Sequence, residues 1–202
     1  MGITPKQERL FSLVPLGDFK ALLGIDDRED ALARYCLVTA SYTIEEYCRR
    51  RLLCRKRTEF LHYSGDPVIP LGDYPVRKIL AVYKIGRQGE EPILPGLYRT
   101  VPECGPEDIP FCLSVDPAAG LERRVVAIRA LYLAGYRQGE VPADLASACL
   151  ELAAWNMSRF RGKRIGMAGA AVRGKAGVGE YLEASMPENV KALLEPYRRR
   201  ML

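Results

Sequence analysis

LAGYRQGEVPADLASACLELAAW, residues 133–155, decides the fold, because the period of its apolar residues changes partway along. Up to Tyr136 it continues a run from Val125 that is rich in β-branched and aromatic residues, the composition of a strand. From Pro142, a residue suited to a first helical turn, Leu145, Ala148, Cys149, Leu152, Trp155 and Phe160 recur at helical spacing up to about Arg161. A strand-rich segment therefore hands over to a long helix.

Towards the N-terminus the segments 58–63, 68–71, 77–85 and 97–101 share the strand composition of 125–136, with Gly and Pro between them, so at least four strands are expected to pair antiparallel. GRQG (86–89) reads as a hairpin connection, and 102–120, with four prolines, as an irregular surface loop. Before the strands, Leu32, Tyr35, Cys36, Thr39, Tyr42 and Tyr47 predict an amphipathic helix opening at Asp26, of roughly 25 residues and about 38 Å. A short helix over 16–24, closed by Gly24, precedes it. Towards the C-terminus, 162–179 holds six glycines and four positive charges without an acid, a flexible arm in composition. A short strand over 178–182 and a last helix over 187–197 complete the chain. The class is α+β: two principal helices flank a small antiparallel β-rich insertion (about 55–136) in a domain spanning 1–161, followed by the arm and C-terminal helix over 162–202.

The chain has 202 residues, 48% hydrophobic and 27% charged, with net charge +5, an ordinary globular balance that excludes disorder and collagen-like repeats. The longest uncharged run, 35–44, is far shorter than the roughly 18 residues of a membrane span, so no membrane partner is expected. Pro5, Lys6, Glu8 and Arg9 interrupt the apolar stretch a signal peptide needs, and Lys6 sits where a myristoylation motif needs Ser or Thr, which predicts a cytosolic chain. Cys36, Cys48, Cys54, Cys104, Cys112 and Cys149 form no CxxC pair, so reduced thiols, most of them small core residues, are expected in place of zinc ligands.

Catalytic chemistry finds little support. GAAVRGKA (169–176) fits GxxxxGK but has Ala176 where a phosphate-binding loop needs Ser or Thr, and it neither follows a buried strand nor opens a helix; it reads as a basic glycine linker. His62, the one histidine, lies in an edge-like strand without a nucleophile motif. Glu45 and Glu46, like Glu90 and Glu91, are adjacent, so their side chains diverge. Asp26, Asp27, Glu29 and Asp30 suit the positive end of a helix and lack the pattern of a calcium loop. Two basic clusters, one comprising Arg49, Arg50, Arg51, Arg55, Lys56 and Arg57 and the other running from Arg159 to Lys175, are candidates for sequence-independent phosphate contact, against the plainer reading of solvated helix ends. Neither catalytic residues nor a cofactor or metal site is assigned.

The order of elements, together with LGDFKALLGIDD (16–27), IEEYCRRRL (44–52), IPLGDYPVRKILAVY (69–83), LAGYRQGEVPADLASACLELAAW (133–155) and MPENVKALLEPYRR (186–199), resembles phage head-tail connector (adaptor, or head completion) proteins. The resemblance covers most of the chain; the proline-rich loop with Cys104 and Cys112 departs from it. It implies a non-enzymatic virion or prophage protein, present in the host cytoplasm during assembly, that forms a ring of about twelve copies under the portal through heterologous contacts. Implied partners are sibling copies, the portal protein, a tail or stopper protein, and packaged DNA held non-specifically in the channel. On this reading Arg173, Lys175, Val178, Tyr181 and Leu182 form a partner-docking arm able to add a strand to a neighbour's sheet. The alternative is a nucleic-acid-binding accessory protein that uses the basic clusters.

Overall fold

The structure is a computed structural model that describes residues 11–101, 111–121, 125–162, 170–174, 177–181 and 186–199. Gly24 stops the first helix, α1 (Leu16–Leu23), by turning left-handed at φ 62°. The Asp26 carboxylate then accepts the Arg28 N–H at 3.2 Å, capping a single 3-10 turn over Asp27–Glu29 that feeds α2 (Asp30–Cys48). This turn takes up the start of the expected 25-residue helix, and Arg49, left-handed at φ 54°, ends it, so α2 has 19 residues. A third helix, α3 (Ala143–Arg161), begins one residue after Pro142, and α4 (Glu188–Leu194) follows Pro187.

The chain divides into two compact units, one built from residues up to 49 and from 138 to 200, the other from 50 to 137. In the helical unit, α2 packs on α3 and both pack on α4. Where α2 meets α3, small residues are buried on both helices, Ala33, Cys36, Ala40 and Ser41 on α2 and Ala148, Cys149 and Ala153 on α3, together with Leu37, Ile44, Leu145 and Leu152. Ser41 ties the seam together: its hydroxyl donates to the Leu37 carbonyl, accepts the Leu13 N–H at 3.0 Å and lies 3.4 Å from the Cys149 sulfur. Of the α2 residues expected to face the core, only Cys36 is buried. Tyr35 and Tyr42 are 45% and 41% exposed: Tyr35 meets Phe160 of α3 edge-on at 5.6 Å between ring centroids, and Tyr42 stacks on Phe11 at 5.7 Å. On α3 the expected face holds at Leu145, Ala148, Cys149 and Leu152, while Trp155 and Phe160 are half-buried.

The β unit consists of two antiparallel sheets. The larger is ordered β1-β7-β3-β4, with β1 Arg55–His62, β3 Val76–Gly86, β4 Gly89–Ile93 and β7 Val125–Ala134. The smaller is ordered β2-β6-β5, with β2 Val68–Pro70, β5 Tyr98–Val101 and β6 Cys112–Val115. Leu61, Val82, Ile128 and Tyr132 from the first sheet meet Ile69, Leu113 and Val115 from the second in one apolar core. One expectation is corrected here. Residues 112–115 belong to no surface loop: Cys112, Leu113 and Val115 are buried and form the central strand of the smaller sheet, because the prolines bracket this apolar run without interrupting it. The GRQG hairpin leads into β4, a strand that its acids and Pro92 conceal, and which lies at the sheet edge where a proline is tolerated. Within the arm, β8 (Ala170–Gly174) and β9 (Gly177–Tyr181) pair antiparallel as a hairpin.

Candidate interaction surfaces

Among the described residues no cluster of titratable groups forms a reaction centre. A cavity of about 320 Å³ in the β unit is lined by Tyr63, Gly65, Pro67, Val115, Pro117, Gly120 and Leu121, with no acid, histidine or cysteine. Among the described residues no group of three or more His, Cys, Asp or Glu side chains is placed to hold a metal, and no helix is long and apolar enough to cross a membrane. His62 is exposed at the end of an edge strand. Glu45 is buried and Glu46 exposed, so they diverge as expected. Residues 170–174 of GAAVRGKA are extended and ladder-bonded to β9, whereas phosphate binding needs a loop that opens a helix.

The first basic cluster is distributed among different tasks. Arg50, only 5% exposed, lies 3.6 Å over the Tyr74 ring and donates to the Tyr74 carbonyl at 2.7 Å. The Arg51 N–H donates to the Asp73 carboxylate at 2.9 Å, and Arg57 pairs with the other oxygen of Asp73 at 3.2 Å. Arg55 donates to the Leu53 carbonyl. Arg49 and Lys56 are exposed. A polar lattice surrounds this anchor: the Tyr132 hydroxyl donates to Glu59 at 2.7 Å and accepts the Asp73 N–H at 3.3 Å, and burial together with Glu59 pushes the phenol well above its ordinary value. We predict that Arg50→Ala lowers stability by about 2–3 kcal/mol, from the lost carbonyl bond and ring contact, without changing non-specific DNA binding. Denaturant melts and gel shifts check the two halves. Of the second cluster, Arg159 lies 4.6 Å over the Trp155 ring and Arg161 pairs with Glu29 through Nε at 2.9 Å. Arg173, Val178 and Tyr181 fall on the β8–β9 hairpin, and Lys175 and Leu182 lie outside the described residues.

Cys36, Cys48, Cys112 and Cys149 are buried, Cys54 is half-buried and Cys104 lies outside the described residues. Burial pushes the Cys36 and Cys149 thiols up from 9.0 to about 11. An unfolded chain ionises these thiols first, so their contribution to stability is complete below pH 9 and is lost as pH rises towards 11. The expected result is a urea midpoint that falls between pH 9 and 11, and a negligible rate of labelling of both thiols by a thiol reagent until the chain unfolds.

The register of the larger sheet sets one face outside the core. Leu133 sits between Lys56 and Lys78, Leu131 between Thr58 and Ala81, and Arg129 between Phe60 and Tyr83. Arg129 lies 4.2 Å over the Tyr83 ring and pairs with Glu90. Phe60 is 68% exposed, and Lys56 and Lys78 are exposed. The face is thus an apolar stripe flanked by cations. Sequence reasoning did not pick it out; its one signal is Phe60 standing in line with Lys56, Thr58 and His62 at period 2. On the helical unit, α1 carries exposed Leu22 and Leu23, with Asp18 one turn before Leu22 and Asp26 just beyond the helix. Lys20 in the same helix pairs with Asp27 and Asp30, which raises the lysine and lowers the Asp27 carboxyl.

No family model matches the chain, and no curated protein matches it. Solved structures do. A chain from the neck of an empty gene transfer agent particle, computed with C6 symmetry, aligns with TM-score 0.61 and 21% identity over 100% of this chain and 96% of that one. The neck of the native particle, computed with C12 symmetry, gives 0.56 and 20% over the same shares. The virion of the native particle gives 0.61 and 21%, again over 100% and 96%. At this identity the likeness is one of fold, and it extends from end to end: the chain has the fold of a protein found in the neck of a phage-like particle.

Proposed function

We propose that this chain is a structural ring subunit of the neck of a phage, prophage or phage-like particle. It would sit under the portal and link head to tail or stopper, with DNA passing through the centre. The observation that carries this reading is the full-length likeness in fold to neck proteins whose structures were computed with C6 and C12 symmetry. It fits a chain in which the titratable groups are spent on packing and capping: Tyr132, Glu59 and Asp73 brace the β unit, and Ser41 with Cys149 joins two helices. DNA in such a channel is tolerated without tight capture, and of the first cluster Arg49, exposed and outside the sheet, is the cation suited to that role. The β8–β9 hairpin is the segment suited to adding an edge to a neighbouring protein's sheet.

Deletion of the gene tests the reading. Particles assembled without this chain are expected to package DNA and then lose it, and to remain tailless. Tailed particles that keep their genomes would overturn it.

A further inference from the structure

We propose that the outward face of the β1-β7-β3-β4 sheet is one half of a contact between copies, and that its occupant is the α1 end of the next copy. This rests on the neck-ring reading and names the surfaces by which the ring closes. The sheet face presents exposed Phe60 with half-buried Leu131 and Leu133, exposed Lys56 and Lys78 at its margin, and Arg129, paired with Glu90, beside Phe60, all outside the core. Residues 16–30 present the reverse pattern: Leu22, 64% exposed, lies between Asp18 and Asp26, in a segment of five acids and two bases. Lys20 is paired with Asp27 and Asp30, and Glu29 with Arg161, which leaves the segment net acidic. A lysine-rimmed apolar face and an aspartate-rimmed leucine complement each other in charge, and neither complements itself. Two different patches on one chain make a heterologous contact, the kind that closes rings. The face is less suited to DNA: Arg129 is held by Glu90 and the Tyr83 ring, and the leucines between the two lysines offer phosphate no contact but give a protein a dry centre.

The test uses the full chain with cysteines at two exposed positions, Phe60→Cys and Leu22→Cys, a short bismaleimide, and peptide mass mapping; the chain without added cysteines sets the background. With both substitutions in one chain, a ladder of dimers, trimers and larger species linked 60 to 22 is expected. A mixture of the two single-cysteine chains should stop at dimers carrying the same link. Lys56→Glu with Lys78→Glu should lower the yield of that link at least about tenfold, and Asp18→Lys with Asp26→Lys on the partner chain should restore it. Thermal melts confirm that each variant is folded. Absence of a 60–22 link, or a link indifferent to both charge reversals, overturns the proposal. So does a lysine reversal that weakens duplex DNA binding while the link persists, which would assign the face to DNA. Rings of this chain seen on a portal without the 60–22 link would overturn the contact and leave the neck reading standing. Absence of any ring on the portal counts against the neck reading itself, however the linkage turns out.

Discussion

Gly135→Ala is expected to destabilise the β unit by about 4 kcal/mol, enough to leave much of the expressed protein insoluble. The residue follows β7 at φ +105°, a conformation that L side chains rarely adopt. A Cβ there would lie 2.6 Å from the Leu52 carbonyl oxygen and 2.6 Å from the Leu53 carbonyl carbon, both of them backbone atoms that no rotamer change moves aside. These atoms belong to a tie between segments: Tyr136 N–H donates to the Leu52 carbonyl at 2.7 Å, and Cys54 N–H to the Tyr136 carbonyl at 2.8 Å. The substitution therefore strains one residue and parts two hydrogen-bonded chains. Gly65→Ala supplies the comparison, since Gly65 has φ +101° in open space, so only the conformational strain remains, about 1 kcal/mol. Chemical denaturation of both variants reads the difference.

Leu152→Ala is expected to cost about 3 kcal/mol and to lower Tm by roughly 10 °C. Leu152 is 1% exposed on α3, among the largest fully buried side chains of the helical unit together with Leu37, Ile44, Leu145 and Met157. Close-packed neighbours relax only in part into the void left behind, so the cavity term adds to the lost transfer energy. Hydrogen exchange should show the loss of protection in α2, α3 and α4. Protection there equal to that of the unsubstituted chain would contradict the packing described.

The sequence made the long helices legible through their period, Gly24 and Pro142, and it made most of the strands legible through their composition. It was less informative where neighbours decide. Tyr35 and Tyr42 have the spacing of a core face, yet both stay over 40% exposed and pack on the rings of Phe160 and Phe11, which lie far from them in sequence. The strand over 112–115 is hidden by prolines on either side, and β4 by its acids. Arg50 reads as one cation among six, and its burial depends on Tyr74, 24 positions away. The candidate contact face was illegible for a related reason. Phe60, Leu131 and Lys78 share a surface only through the pairing of β1, β7 and β3, a register that no local pattern specifies.

The most direct measurement is electron microscopy of the full chain mixed with its portal. The account predicts a ring of added density on the portal's exit face, with a continuous opening along its axis wide enough for duplex DNA. A portal whose exit face is unchanged at saturating concentrations of the chain would contradict it.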